Sequence, residues 1–166
     1  MKKRFYFFLT LALLLVAISI LAPFIAPNDP NESLANVMNA APSMRFPVGT
    51  DKLRRCILTR VLMGAPASVF SALALVGLSF AAGTLLGMLC GYYGGILDEV
   101  VMRIADILLA FPQMVLAIAV AGVLGGGLVN AMIALGITSW TLYARLARSS
   151  VLKLKKEPFL AAATFS

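Results

Sequence analysis

The sequence predicts an all-α transmembrane protein with four membrane-spanning helices. Of its 166 residues, 61% are hydrophobic and only 13% are charged, and the mean hydropathy is +0.95. Soluble domains are about 45–50% apolar and about 25% charged, so a soluble core of this size could not bury so many apolar residues. The apolar residues also lie in long charge-free runs flanked by basic residues, which is typical of membrane-spanning helices.

The first charge-free run, Phe5–Ala26, is 22 residues long. At about 1.5 Å per residue, a helix of this length crosses a bilayer. The preceding cations Lys2, Lys3 and Arg4 also resemble the start of a cleaved signal peptide, but the apolar run exceeds the usual about 7–15 residues. We therefore predict a retained N-terminal helix over residues 1–27 that starts in the cytoplasm.

Residues 28–64 are too polar to enter lipid and are predicted to form an extracytoplasmic connection. This topology places five cations outside and nine inside, so the positive-inside bias has the expected sign but is weak. Cys56 lies in this connection and Cys90 in the next apolar run. We expect no disulfide between them. A disulfide needs α-carbons within about 7 Å of each other, and a residue in the polar connection is not expected to lie that close to one in the second apolar run.

The second helix is predicted over about 65–91, where 27 residues carry no charge. Small residues recur at every fourth position, namely Ser79, Gly83, Gly87 and Gly91. This spacing forms one helical stripe on which another helix can pack closely. Packing within the same chain is the favoured interpretation, and packing against a partner subunit is the alternative.

The next charge-free run, Ile107–Ala144, has 38 residues and is too long for a single crossing. Three consecutive glycines, Gly125–Gly127, lie near its middle and predict a turn. We therefore predict a third helix over about 100–124, kinked at Pro112, and a fourth over about 128–147. The chain then emerges in the cytoplasm, so that both ends lie on the same side.

Charged residues precede the third helix. Glu99, Arg103 and Asp106 recur at intervals of four and three residues, so they share one helix face. Charge pairing on a wet face is the favoured interpretation, and a relay inside the membrane is the alternative.

Several classes of function are disfavoured by composition. The chain has no His and two Cys, so a metal site built from a His/Cys cluster is not expected. No Gly-x-x-x-x-Gly-Lys-Ser/Thr sequence is present, so ATP binding would belong to a partner. The net charge of +7 comes from cations beside apolar runs, which predicts contact with anionic lipid rather than with nucleic acid. An enzyme is disfavoured because no nucleophile–base pair is visible, and no cofactor is predicted.

Five sequence elements occur in a characteristic order. They are FPVGTDKLRR at 46–55, GYYGG at 91–95, RIADILLAFP at 103–112, YAR at 143–145 and KKEPFLAAA at 155–163. Together they resemble the dipeptide, oligopeptide and nickel importer permeases of the bacterial ABC superfamily, specifically the second, C-type permease subunit. The resemblance implies the N-terminal part of a type I ABC importer permease fold, with an incomplete transmembrane domain over 65–166, in the bacterial inner membrane.

The resemblance also implies functional segments and partners. It implies an extracytoplasmic motif at Gly49, Thr50, Asp51 and Arg55. It implies an ATPase-coupling loop that begins at Lys155, Lys156, Glu157, Ala161, Ala162 and Ala163. The implied partners are a second permease subunit, two ATP-binding subunits and an extracytoplasmic substrate-binding protein. The implied cargo is peptides or nickel and nickel chelates, and the variant near Cys56 and the non-acidic start of the coupling loop favour nickel slightly.

The chain departs from this family pattern at three positions. Arg54 replaces a Gly, Cys56 replaces a common Asp, and Ala161 replaces the Glu that opens the coupling loop. A bulky residue at the Arg54 position is expected to strain the turn. Because the sequence stops within the coupling loop, we expect a truncated permease that does not transport by itself. The alternative function is a small structural or channel-forming membrane subunit without ATPase coupling.

Overall fold

The computed structural model describes residues 2–26, 29, 38–155 and 157. Helices dominate this part of the chain, which confirms the all-α class. They are α1 (Lys2–Ile25), α2 (Ile57–Tyr93), α3 (Gly95–Leu109), α4 (Gln113–Leu124) and α5 (Leu128–Leu154). The chain forms two compact units, Met1–Ala72 and Leu73–Ser166, and the boundary between them falls inside α2.

The first unit contains α1, the connection to α2 and the start of α2. Helix α1 is apolar on every side, and its aromatic residues Phe5, Phe7 and Phe8 are each more than 60% exposed. A helix that is apolar all round fits a lipid environment rather than water. Pro23 lies inside its last turn and Ala26 follows its end, close to the end predicted at residue 27.

Two of the described helices, α1 and α2, are long and apolar enough to cross a membrane, and α3 and α4 supply a third span if the bent pair crosses together. Helix α5 was predicted as the fourth crossing. Its first 17 residues, Leu128–Ala144, carry no charge, but its second half contains Arg145, Arg148 and Lys153. The crossing of α5 therefore stays a prediction.

A single third helix over 100–124 is wrong, because the structure divides this segment into α3 and α4, bent by 92° at their junction. Pro112 explains the break. Its ring nitrogen has no hydrogen to donate, and it disfavours helical geometry at the preceding residue. Pro112 itself has an extended ψ of 122° and forms the N-cap of α4.

Two other helix boundaries differ from their predictions. Helix α2 begins at Ile57 rather than near 65, and α5 continues to Leu154 rather than 147. In both extensions the added residues include arginines that bind carboxylates: Arg60 contacts Asp51, and Arg148 contacts Asp98. Paired charges let a helix continue beyond the apolar run that predicted it.

The predicted turn at Gly125–Gly127 joins α4 to α5. Gly125 and Gly127 have φ angles of +87° and +124°, which residues with a side chain rarely adopt. The side-chain amide of Asn130 donates to the carbonyl oxygen of Leu124 at 2.8 Å and to that of Gly125 at 3.2 Å. Asn130 thus satisfies carbonyls that the end of α4 would leave without partners.

In the second unit, the small residues of α2 lie against α5. A Cβ atom added to Gly83 would lie 2.8 Å from the Cβ of Tyr143, and one added to Gly87 would lie 2.9 Å from the Cα of Ala144. One added to Gly91 would lie 2.8 Å from the Cβ of Val151. These distances are too short for real carbon–carbon contacts. We call this contact, from Gly83 to Gly91 on α2 and from Trp140 to Val151 on α5, the glycine seam.

We predict that Gly87→Ala destabilises the protein by about 1–3 kcal/mol, because the new methyl group overpacks the glycine seam. Gly77→Ala is the matched control on the same helix, since a Cβ there meets no atom within 4 Å. The control should be neutral or stabilising by up to about 1 kcal/mol, from its higher helix propensity. Thermal unfolding of the two variants in detergent measures the difference, and equal midpoints would contradict the prediction.

Candidate functional site

The first candidate region is the loop that enters α2, where the family motif was predicted. Gly49 has a φ of +81°, and a Cβ on it would clash with the carbonyl oxygen of Ala40. Both the backbone angle and the lack of space therefore require glycine at this position. Thr50 pairs with Ala40: its side-chain oxygen accepts from the Ala40 N–H at 2.9 Å, and its own N–H donates to the Ala40 carbonyl at 3.3 Å. An isolated antiparallel bridge joins Thr50 to Cys56.

Asp51 is the centre of this loop. One carboxylate oxygen accepts from the backbone N–H groups of Leu53 at 2.8 Å and Arg55 at 2.9 Å. The other accepts from the side chain of Arg55 at 3.1 Å and from that of Arg60, on the first turn of α2, at 2.7 Å. The carboxylate therefore closes the turn and attaches it to α2. The structure brings three of the four predicted motif residues, Thr50, Asp51 and Arg55, into this turn, with Gly49 beside them.

These hydrogen bonds make the loop sensitive to acid. The backbone N–H of Arg55, followed by the side chains of Arg60 and Arg55, lowers the pKa of Asp51 from 3.8 to about 2. A carboxyl whose pKa is lower in the folded state stabilises that state above its ordinary pKa. This stabilisation is present above about pH 4 and is lost as the pH falls through about 2.

Arg54 occupies the position at which the family pattern has Gly. Its φ is +63°, in the left-handed region that costs a residue with a Cβ about 1–2 kcal/mol. Its backbone N–H donates to the Asp51 carbonyl at 3.0 Å, so the turn itself imposes this conformation. The expected strain at Arg54 therefore has a definite backbone cause.

The second candidate region joins α3 to α5 through two ion pairs. Arg148 contacts both carboxylate oxygens of Asp98 at 2.5 Å, a two-point geometry that is stronger than a single contact. Arg145 forms an ion pair with Asp106. The Asp98 side chain is 17% exposed, whereas Asp106 and Arg145 are about half exposed. The two pairs hold α3 against the second half of α5.

The sequence indicated charge pairing here, but between other residues. It grouped Glu99, Arg103 and Asp106 on one face of α3, whereas the ion pairs run between helices and use Asp98 in place of Glu99. Glu99 and Arg103 line an open pocket beside Asp98. Asp98 and Arg148 stand 50 residues apart, and only the reversal of charge sign between the two segments could have indicated their pairing.

The end of α5 leads into the predicted coupling loop. Lys155 follows the helix, and its ammonium group donates to the carbonyl oxygen of Tyr92 at the end of α2 and lies 5.5 Å from the centre of the Tyr92 ring. Glu157 donates its backbone N–H to the Leu154 carbonyl at 3.0 Å. The remaining predicted coupling residues, Lys156 and Ala161–Ala163, lie outside the described residues.

The two cysteines are free thiols. Cys56 and Cys90 are both about 1% exposed. Cys56 belongs to the loop around Asp51, and Cys90 lies on α2 next to Gly91. In the described part of the chain, no three His, Cys, Asp or Glu side chains come together as metal ligands.

Comparison with known proteins identifies the relatives of this chain. Residues 83–166 match the protein family described as binding-protein-dependent transport system inner membrane component. The dipeptide transport system permease protein of Haemophilus influenzae is 39% identical over 154 residues, which cover 89% of this chain and 52% of the relative.

Two further relatives have similar coverage. The di/tripeptide transport system permease protein of Pseudomonas aeruginosa is 39% identical over 146 residues, covering 84% of this chain and 48% of the relative. The glutathione transport system permease protein of Pectobacterium atrosepticum is 39% identical over 152 residues, covering 91% and 50%. The chain thus spans about half the length of these relatives.

We predict that Arg54→Gly stabilises the loop around Asp51 relative to Arg54→Ala by about 1 kcal/mol, because glycine removes the left-handed strain and alanine keeps it. The comparison with alanine separates the backbone effect from the loss of the arginine side chain. Hydrogen exchange of residues 50–57 measures the local stability. Equal protection in the two variants would show that the turn carries no strain.

Charge reversal should show that the two ion pairs contribute differently to the stability of the protein. Arg148→Asp is expected to destabilise the protein by about 1.5–3 kcal/mol, because Asp98 loses a two-point charged partner and faces a like charge. The double variant Asp98→Arg with Arg148→Asp should recover part of the loss. Arg145→Asp is the comparison, and its more exposed pair should cost at most about 1 kcal/mol. Thermal midpoints test this, and the prediction fails if the two single variants are equally stable.

Proposed function

Because the chain belongs to the family of binding-protein-dependent transport system inner membrane components, we propose that it is a permease subunit of an ATP-driven importer. In this role it forms part of the translocation path and catalyses no reaction itself. ATP hydrolysis belongs to a separate subunit, in keeping with the absence of a phosphate-binding Gly-x-x-x-x-Gly-Lys-Ser/Thr sequence.

The observation that carries this proposal is the attachment of α5. Its second half packs on α2 through the glycine seam, and two ion pairs join it to α3. Lys155, the first residue of the coupling loop, still contacts α2. A coupling loop that continues from so firmly held a helix can move the other helices when an ATPase moves the loop, as rigid-body transport mechanisms require.

The proposed topology places the start of α1 and the end of α5 in the cytoplasm. It is supported by Lys2, Lys3 and Arg4 at one end and by Lys153 and Lys155 at the other, because cations gather on the cytoplasmic side. The loop around Asp51 then lies outside, where a substrate-binding protein would dock. A second permease subunit and two ATP-binding subunits complete the proposed importer.

For the cargo, we propose short peptides rather than nickel or its chelates. The relatives compared above are named for dipeptide, di/tripeptide and glutathione transport. Two departures favoured nickel, the variant near Cys56 and the non-acidic start of the coupling loop at Ala161. Cys56 is buried in the loop, away from solvent, and Ala161 replaces an acid without adding a group that binds metal. Peptides are therefore the better-supported class.

The proposal predicts that deleting the gene in the source organism abolishes uptake of radiolabelled di- or tripeptides, and that restoring it on a plasmid recovers uptake. Uptake of radiolabelled nickel is measured in the same cells. Loss of nickel uptake with normal peptide uptake would overturn the proposal that the cargo is short peptides. No effect on either would favour the alternative of a structural subunit without ATPase coupling.

The coupling role is tested by copurification from source membranes. Ala162→Arg puts a charge into the proposed ATPase contact and should reduce the recovered ATP-binding subunit about tenfold, equivalent to about 1.4 kcal/mol. Ser149→Arg adds the same residue at an exposed position on α5 and should leave recovery unchanged. If both variants recover the same amount of ATP-binding subunit, the proposed coupling role of this segment is wrong.

A further inference from the structure

A cavity in the second unit is bordered by residues of α2, α3, α4 and α5, and its mainly apolar lining includes several polar side chains. Its volume is about 300 Å³. The polar side chains that line it are Ser79 from α2, Gln113 from α4, and Thr138, Ser139, Thr141 and Tyr143 from α5. These residues come from the charge-free stretches of the sequence, where uncharged hydrogen-bonding groups are the only polar groups available. Polar groups within membrane helices commonly mark a path for substrate or ions.

Three of the five hydroxyl groups that line this cavity already use their hydrogens. Thr138 and Ser139 donate to the Leu135 carbonyl at 3.0 and 2.7 Å, and Thr141 donates to the Thr138 carbonyl at 2.9 Å. The Gln113 amide nitrogen donates to the Ser139 hydroxyl oxygen at 3.0 Å. These groups keep acceptor capacity in the hydroxyl lone pairs and in the amide oxygen of Gln113.

The cavity lies next to a layer of charged residues, formed by the ion pairs of Arg145 with Asp106 and of Arg148 with Asp98. Ser139 precedes Arg145 by six residues, which is about 9 Å along a helix. Arg145 and Arg148 pair with Asp106 and Asp98, and such a layer of charges belongs near the membrane surface. Ser139, and Gln113 hydrogen-bonded to it, therefore lie on the side of this layer where α5 carries no charge.

The cavity also adjoins the break between α3 and α4. Leu109, the last residue of α3, and Gln113, the first of α4, both line it. In transporters, interrupted membrane helices commonly border the substrate site, because irregular backbone at membrane depth is tolerated where it lines a cavity. A helix break and a set of uncharged acceptors thus occur at the same place.

We propose that this cavity is a subsite of the translocation path that accepts hydrogen bonds from the main-chain N–H groups of a peptide in transit. The inference rests on the function proposed above and names the chemistry by which the path would hold its cargo. Uncharged acceptors fit neutral amide donors. They offer no counter-charge to a phosphate or a carboxylate, and a site without a carboxylate does not compensate a bare cation at this depth.

The test uses the double variant Gln113→Met with Ser139→Ala in the chromosomal gene. It replaces both members of a hydrogen-bonded pair with apolar groups, which is close to neutral for stability. The matched control is Ser149→Ala, because Ser149 also donates to a carbonyl of its own helix, at 3.0 Å, but is exposed outside the cavity. Immunoblots of the membranes check that all forms are present in equal amount.

Uptake is measured for a tripeptide and for the same tripeptide with N-methylated main-chain amides, which cannot donate. The double variant should raise the KM for the unmodified peptide about threefold to tenfold, the range expected for one lost hydrogen bond. It should leave the N-methylated peptide unchanged, whereas Ser149→Ala should change neither.

The outcomes separate this inference from the proposed function. If wild-type cells take up the tripeptide and the double variant has the same KM, the cavity is not a subsite and the inference is overturned. An equal loss for both peptides also overturns it, because the effect would then be independent of the amide donors. If the wild-type gene supports no peptide uptake at all, the proposed function itself fails.

Discussion

The close approach of α2 and α5 is the constraint on which the second unit depends. In lipid, apolar side chains gain little by leaving one apolar surrounding for another, so helices associate mainly through tight packing and hydrogen bonds. Gly83, Gly87 and Gly91 provide that packing by letting the backbone of α5 touch α2 directly. The same approach sets the level at which α5 meets α3, so the ion pairs of Arg145 and Arg148 follow from the glycine seam.

The features that the sequence predicted are those with a local cause. Charge-free runs predicted helices, and three glycines predicted the turn after α4, because length and backbone freedom are read from neighbouring residues. The all-α class and the permease family are confirmed. The strain at Arg54 was also predictable, since a position that favours glycine in related sequences commonly has a positive φ, and here φ is +63°.

The features that the sequence did not predict depend on residues far apart in the chain. The stripe from Ser79 to Gly91 was visible, but the identity of its partner helix was not. The predicted charge cluster included Glu99 instead of Asp98, because spacing along one helix carries no information about a cation 50 residues away. The 92° bend at Pro112 was underestimated as a kink, because a proline prevents a helical hydrogen bond without specifying the angle that results.

The charged layer also determines what the apolar part of the bundle can do. Asp98 and Asp106 pair with Arg148 and Arg145 at one level of the helices. The carboxylates thus supply the hydrogen-bond acceptors that the guanidinium groups would otherwise find in water. Beyond that level the polar side chains that line the cavity are uncharged. For Gln113, Ser139 and Thr141, hydrogen bonds to the helix backbone and to one another offset the cost of leaving water. Charged and neutral groups thus act at different levels of the bundle. Ion pairs fix α5, the helix that leads to the proposed coupling loop, and neutral groups line the cavity beside the helix break.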